Sequence, residues 1–237
     1  MKQNYASLDR AAEQLGCSCA PQEPMCLHTT FRIGGPADRL LTVERVSQLG
    51  ELLKILHGEE IPFLVLGKGS NLLVSDKGIR GVVLLLAGEF KKVELLSNGR
   101  LRAGAGASLA SVCAFARDQG LSGLEFAWGI PGSVGGAVTM DAGAYGGEMA
   151  PLVQRTCYMD PEAKLHMLAP ADHQFGYRTS LFQQKPGNVI LYTELKLTPG
   201  DPQEIREKME EYAARRREKQ PLDLPSAGSV YKRPEGH

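Results

Sequence analysis

The stretch PFLVLGKGSN, residues 62–71, decides the fold class because it joins a buried strand directly to a tight glycine-containing turn. The apolar run at 62–67 predicts a strand inside the protein. Two glycines separated by one residue let successive N–H groups point into a concave anion site, and Ser70 and Asn71 add side-chain donors. From these residues alone, a pyrophosphate site and a plain β-turn explain GKGSN equally well.

Short strands and a few helices are predicted on both sides of this stretch, which favours an α+β class over a regular βαβ succession. The connector at 17–25 carries no predicted element, and Ser47 is the predicted N-cap of the second helix. A change of composition at 199–202 predicts a domain boundary. The predicted helices are 5–15, 46–56, 108–119 and 202–219, and the predicted strands are 40–43, 62–67, 72–76, 81–87, 90–96, 100–104, 153–159 and 189–197.

Composition excludes several classes of partner. Lys plus Arg and Asp plus Glu are 27 each, so no overall field favours nucleic acid or an anionic membrane. No apolar run approaches the roughly 20 residues of a membrane span, and the N-terminus lacks a secretory signal. The five cysteines then indicate reduced thiols in the cytoplasm. Cys17, Cys19 and Cys26 lack a fourth ligand nearby, so we predict no metal site.

A second glycine-rich segment, GIPGSVGGAVTMDAGAYGG at 129–147, has neither helical nor strand period. Its first part, 129–137, is expected either to expose backbone donors to a ligand or to be a structural loop. Together with GKGSN it favours a large anionic cofactor such as FAD. The segment GAGASL at 104–109 lacks the third glycine of a dinucleotide fingerprint, which excludes a Rossmann site there.

Two polar positions could carry chemistry. Arg178 follows the loop glycine Gly176, and it is expected either to make a surface salt bridge or to hold a carboxylate bidentately. Ser229 lies in a small-residue turn near Lys232, without the elbow or the following histidine of a hydrolase. This pattern argues against a nucleophilic role for Ser229, and a role as proton donor stays open. The histidines show no metal-ligand spacing.

Long motifs, taken in order, closely resemble the UDP-N-acetylenolpyruvoylglucosamine reductases, in the short subtype without a substrate-covering tyrosine loop. The resemblance implies an FAD domain of the vanillyl-alcohol-oxidase (PCMH) type with two lobes over residues 1–200. An incomplete α+β substrate domain would follow over 201–237. The motifs are HTTFRIGGPAD (28–38), LGKGSNLLVSDKGIRGVVL (66–84), GLEFAWGIPGSVGGAVTMDAGAYGGE (123–148), FGYRTSLF (175–182) and SAGSVYKRP (226–234).

The resemblance also implies the reaction and its residues. NADPH would reduce FAD, and the flavin would reduce UDP-N-acetylglucosamine enolpyruvate to UDP-N-acetylmuramate for peptidoglycan, in a cytoplasmic monomer. Arg178 and Ser229 would be catalytic, and Tyr177 and Lys232 would join them in binding substrate. The FAD contacts would be Gly67, Lys68, Gly69, Ser70, Asn71, Leu72, Ile130, Pro131, Gly132, Ser133, Val134, Gly135, Gly136, Ala137, Asp141, Gly143 and Ala144.

The chain departs from the family pattern in three ways. Asp141 and Arg233 stand where the family usually has Asn, and a C-terminal segment with a catalytic glutamate is not in the sequence. We therefore expect a truncated family member whose turnover is the open question. Two alternatives stay open: a non-catalytic FAD- or nucleotide-binding fragment, and another FAD oxidoreductase of the same fold.

Overall fold

The computed structural model of the chain describes residues 4–229, 231, 232 and 234, and it confirms the α+β class. Arg233 lies outside the described residues. The helices are α1 (Ala6–Leu15), α2 (Val46–Gly58), α3 (Leu109–Asp118), α4 (Val134–Thr139), α5 (Leu181–Gln184) and α6 (Pro202–Lys219). The strands are β1 (Ser18–Pro24), β2 (Pro36–Val43), β3 (Phe63–Leu66), β4 (Ile79–Leu86), β5 (Val93–Leu95), β6 (Leu101–Gly104), β7 (Leu121–Ser122), β8 (Gly143–Ala144), β9 (Gly147–Glu148), β10 (Val153–Met159), β11 (Leu165–Leu168), β12 (Val189–Leu195) and β13 (Thr198–Pro199).

The smaller sheet has the strand order β1-β2-β4-β3, with β2, β4 and β3 parallel and β1 antiparallel at one edge. Parallel strands are covered on both faces and therefore read as continuous apolar runs. On β4, Val82 and Leu84 join the main core, whereas Val83 joins a separate small core with Met25 and Val74. The chain leaves β3 at the carboxyl end of this sheet, so the turn that follows faces outward from the strand ends.

The larger sheet is antiparallel, with the order β11-β10-β12-β6-β5. Its central strand, β12, is buried along almost its whole length. The strands predicted at 90–96 and 100–104 form a hairpin, because β5 pairs with β6 around the turn at 97–99. α4 packs on β12, which brings the glycine-rich segment onto this sheet.

Three local predictions were wrong. The connector at 17–25 contains β1, a strand whose prolines are tolerated because it lies at a sheet edge. Residues 72–75 are not a strand: Val74 packs in the small core, and the Ser75 carbonyl accepts the N–H groups of Gly35 and Gly78, each at 2.9 Å, in place of a ladder partner. α2 begins at Val46 with Arg45 as N-cap, and the Gln48 side chain accepts the Arg45 N–H at 2.9 Å.

α6 confirms its predicted start, because Pro202 is at its first turn and the Asp201 side chain accepts the Gln203 N–H at 2.7 Å. The helix buries Ile205 and Met209 and contacts α3 and the turn Glu125–Ala127. Among the described residues, no helix has both the length and the apolar character that a membrane crossing requires.

Candidate functional site

A single large cleft, with a volume of about 1820 Å³, collects loops from both sheets. The turn after β3, the glycine-rich segment 129–148, the Tyr177–Arg178 pair and the chain after α6 all line it. The cleft therefore brings together segments that are more than 150 residues apart in sequence. A different local backbone structure positions each of these segments at the cleft.

The GKGSN turn is held in place from outside the cleft. Gly69 has a φ of +62°, and a Cβ there would lie 2.0 Å from the carbonyl oxygen of His28, so only glycine fits. The Thr30 N–H donates to the Gly69 carbonyl at 3.2 Å. Within the described chain, none of the N–H groups of residues 67–71 donates to a protein group. These donors are therefore available to an anion.

The glycine-rich segment 129–137 uses its donors differently. Ser133 caps α4, and its Oγ accepts the Gly136 N–H at 3.3 Å. The Val134 N–H donates to the Ala107 carbonyl and the Gly135 N–H to the Ala105 carbonyl, each at 2.9 Å. Of the two alternatives for 129–137, the structural loop therefore describes most of this segment. Its glycines allow close packing instead, since a Cβ on Gly135 would lie 3.0 Å from the Ala105 Cβ.

Asp141 faces away from the cleft. It is only 3% exposed and has a φ of +40°, and its Oδ1 accepts the Ala150 N–H at 2.9 Å beside the β8–β9 hairpin. Burial raises the pKa of this carboxyl, and the bond from Ala150 opposes that rise. The side chain therefore supports the hairpin and does not line the cleft.

Arg178 is presented at the tip of a two-residue turn. Gly176 and Thr179 exchange backbone hydrogen bonds of 3.1 and 3.0 Å, and Arg178 itself has a φ of +57°. Its guanidinium donates to the carbonyls of Asp141, at 2.9 Å, and of Gly143, at 2.7 Å. A guanidinium has five N–H groups, so others remain for a ligand after these two bonds.

The chain after α6 returns across the cleft. The Thr30 hydroxyl donates to the Ser226 carbonyl at 2.7 Å, and the Ser226 N–H donates to the Thr30 carbonyl at 3.2 Å. This short pairing places Ser229 and Lys232, both exposed, on the wall of the same cleft.

The structure brings together nearly all the site residues that the sequence predicted. Residues 67–72, 130–133, 135–137, 143 and 144 line the cleft with Tyr177, Arg178, Ser229 and Lys232, whereas Val134 and Asp141 do not. Val134 is fully buried and packs into the main core. The contribution of that residue and of Asp141 is therefore to the shape of the loop.

Sequence reasoning missed many lining residues, among them the loop 28–32 and Arg216. The loop 28–32, which fixes the GKGSN turn, carried no predicted role although it lies inside a quoted motif. Arg216 lies against Gly129, because a Cβ added to Gly129 would be 3.0 Å from the Cδ of Arg216. The only signal for Arg216 was the cluster of basic residues at the end of α6, which helix-dipole compensation explains equally well.

The residues present fit FAD. Its pyrophosphate needs several hydrogen-bond donors, and the N–H groups of 67–71, which have no acceptor among the described residues, can supply them together with Lys68. The same cleft continues past α4 to Arg178, which leaves room for an extended cofactor together with a second ligand.

The comparison with known proteins first identifies the class of protein to which this fold belongs. A family model described as "FAD binding domain" matches residues 37–166, which is more than half of the chain. A cholesterol oxidase from Brevibacterium sterolicum shares the fold, with a TM-score of 0.60 at 14% identity over 77% of this chain and 38% of that one. The predicted FAD-binding fold of the vanillyl-alcohol-oxidase type is therefore confirmed.

Closer relatives then give the family. A UDP-N-acetylenolpyruvoylglucosamine reductase from Clostridioides difficile is 46% identical over 91% of this chain and 70% of its own length. The crystal structure of the corresponding reductase from Thermus caldophilus aligns with a TM-score of 0.79 at 36% identity, over 93% of this chain and 76% of that one. The chain belongs to the UDP-N-acetylenolpyruvoylglucosamine reductase family.

Proposed function

We propose that the protein reduces the enolpyruvyl ether of UDP-N-acetylglucosamine with electrons from NADPH, through bound FAD. The observation that carries the proposal is the placement of Arg178, already fixed by two backbone carbonyls, in the same cleft as the free donors of the GKGSN turn. A preorganised guanidinium suits a substrate whose carboxylate gains charge during the reaction.

Separate groups of residues would bind the cofactor and the substrate. Residues 67–71 would hold the FAD pyrophosphate, and the glycine-rich backbone at 130–137 with 143 and 144 would pack against the remainder of the cofactor. When bound, FAD would supply the redox chemistry, the transfer of a hydride equivalent from NADPH to one vinyl carbon of the substrate, and the second hydrogen is the proton given to the other carbon.

Arg178 would bind the substrate carboxylate bidentately with the N–H groups that Asp141 and Gly143 do not use. The charge that develops next to the carboxylate is then stabilised by about 3 kcal/mol, the typical contribution of one preorganised donor. Ser229 would supply the proton to the carbon that gains this charge, and Tyr177 and Lys232 would contact the sugar nucleotide.

We further propose that residues 201–237 begin a substrate-binding domain and that the protein acts in the cytoplasm on peptidoglycan precursors. The support for the domain is the way the chain after α6 pairs with Thr30 and forms a cleft wall with its own polar side chains. The five cysteines are all free thiols, which agrees with a reducing compartment.

Anaerobic visible spectroscopy tests the proposal. The purified protein should show a flavin spectrum that bleaches with NADPH and returns when UDP-N-acetylglucosamine enolpyruvate is added. The flavin of Arg178→Lys should bleach normally, and its spectrum should recover roughly 100-fold more slowly. Lysine keeps the positive charge but cannot bind a carboxylate with two parallel N–H groups.

Other results would favour the alternatives. Bleaching without recovery would indicate an FAD-binding fragment or a different oxidoreductase. Failure to bind added FAD would contradict the flavoprotein assignment itself.

A further inference from the structure

His173 lies outside the cleft but at the base of the turn that carries Arg178. It ends the 3-10 turn Pro170–His173, five residues before Arg178, and it has no exposed surface. Nothing in the proposed chemistry uses this side chain. A histidine with no access to solvent must nevertheless satisfy both of its ring nitrogens.

The hydrogen bonds of His173 determine which ring nitrogen carries the proton. Nδ1 lies 2.8 Å from the Ala169 carbonyl oxygen, which can only accept, so Nδ1 is the donor. Nε2 lies 2.8 Å from the Thr156 Oγ1, which is itself 3.2 Å from the Thr193 Oγ1. Nε2 of the neutral ring therefore accepts a hydrogen bond from the Thr156 hydroxyl. The Thr156 oxygen in turn accepts a hydrogen bond from the Thr193 hydroxyl. Burial lowers the pKa of His173 and so favours this neutral form.

This chain of three polar groups joins the turn to the larger sheet. Thr156 on β10 and Thr193 on β12 are directly paired in the sheet, and both are fully buried. The His173 ring also stacks on Phe175, with centroids 4.9 Å apart and planes 10° apart. One end of the segment 173–180 is thus fixed to the central strands of the sheet.

The other end of the segment is fixed by Ser180. Its buried hydroxyl donates to the Thr139 carbonyl at the end of α4, at 2.8 Å. Between the two ends lie the Gly176–Thr179 turn and Arg178. Moving the His173 end would therefore shift the turn, while Ser180 would still hold the far end.

We propose that His173, held by Thr156, is a positioning residue that sets where the Arg178 guanidinium lies in the cleft. The inference rests on the proposed function for its catalytic consequence. Its structural content, that loss of the His173–Thr156 bond loosens the turn at 176–179, does not depend on that function.

The test compares Thr156→Val with Thr156→Ser. Valine keeps the shape and removes the hydroxyl, which leaves Nε2 of His173 buried without a partner. Serine keeps the hydroxyl and serves as the matched control. With Thr156→Val, recovery of the reduced flavin by the enolpyruvyl substrate should slow by roughly 10- to 100-fold, as expected for a misplaced catalytic group. Bleaching by NADPH should change by less than about twofold, the kcat should fall more than the KM rises, and Thr156→Ser should behave as the wild type.

Hydrogen exchange of residues 175–182, followed by mass spectrometry, provides a readout that does not need turnover. Thr156→Val should speed exchange at the Gly176 and Thr179 amides, and Thr156→Ser should not. His173→Asn retains the donor to Ala169 but does not reach Thr156. Combined with Thr156→Val, it should add little to either single change, since both break the same bond.

Several results would overturn the proposal. These are unchanged exchange at 175–182, equal slowing of both half-reactions, or additive effects of the two substitutions. A wild-type protein that never recovers its colour would contradict the proposed function alone, and the exchange data would still decide the role of His173.

Discussion

The two glycine-rich segments of the cleft have similar compositions, but their backbones play different roles. In GKGSN the N–H groups of residues 67–71 have no acceptor among the described residues, and Gly69 is required by a positive φ and by the close approach of His28. In GIPGSVGGA most N–H groups donate to neighbouring backbone, and the glycines let α4 approach β6 and its following loop. Glycine density alone therefore does not identify an anion site. The decisive observation is which donors have no protein acceptor.

Gly69→Ala gives the largest expected effect and tests the first half of this comparison. The new Cβ would lie 2.0 Å from the His28 carbonyl oxygen, so the turn and the N–H groups that it carries must move. FAD affinity, measured by titrating the apoprotein and following flavin fluorescence, should fall by about 100-fold or more, equivalent to about 3 kcal/mol.

The matched control for Gly69→Ala is Gly99→Ala. Gly99 also has a positive φ, of +76°, but nothing lies within 4 Å of its added Cβ and it sits in the β5–β6 hairpin. This change should lower stability by about 1 kcal/mol and leave FAD affinity unchanged. Equal losses of affinity in the two variants would break the comparison.

Gly135→Ala tests the second half of the comparison, the packing role of the glycines in GIPGSVGGA. Its Cβ would meet the Ala105 Cβ at 3.0 Å and the Ala105 carbonyl oxygen at 3.2 Å, so α4 must shift. The free energy of unfolding of the apoprotein, measured in urea, should fall by about 1–3 kcal/mol.

Gly136→Ala, one residue further, is the control for packing. The protein atom nearest its added Cβ is the Ser133 Oγ at 3.3 Å, and the helix gains about 0.5–1 kcal/mol from alanine. We expect unchanged or higher stability of the apoprotein. Destabilisation as large as that of Gly135→Ala would show that close packing is not the distinguishing feature of this segment.

Asp141→Asn gives the smallest expected effect and sharpens the comparison at the end of the glycine-rich segment. Because burial raises the pKa of Asp141 in the folded protein, its ionised form is disfavoured there, and the stability it contributes is lost as the pH rises through the folded pKa. Asparagine keeps an oxygen for the Ala150 N–H and carries no charge. The Tm at pH 8 should rise by about 2–4 °C, and the gain should shrink towards pH 4. A gain that is constant with pH would contradict the assigned cause.

Much of the fold was predictable because its signals are local. Asp201 and Pro202 start α6, and Ser108 starts α3, through bonds between residues two or three apart. β1 was missed because its partner, β2, follows only after the loop 25–35, and the sequence 18–24 does not carry that information. Residues 72–75 show the reverse error: they have the composition of a strand, but the Ser75 carbonyl accepts the N–H groups of Gly35 and Gly78 instead of joining a ladder.

The candidate site was predictable as a set of segments but not as a set of side chains. The motifs placed 67–72, 130–137 and Arg178 at one cleft, and the structure agrees for nearly all of them. The orientation of Asp141 depends on its own φ of +40°, which the neighbouring sequence does not predict. The bond between Thr30 and Ser226 joins positions 196 residues apart, and it was equally invisible in the sequence.

The position of β12 in the larger sheet affects how the chain can be made. β12 lies between β10 and β6, although it comes last of the five strands along the chain. On the ribosome the smaller sheet has all its strands once Leu86 is synthesised, whereas β6 and β10 keep open edges until residues 189–195 emerge. Open edges of this kind recruit other strands. We therefore expect the nascent protein to be most prone to pairing with other strands in the interval before Val189 is synthesised.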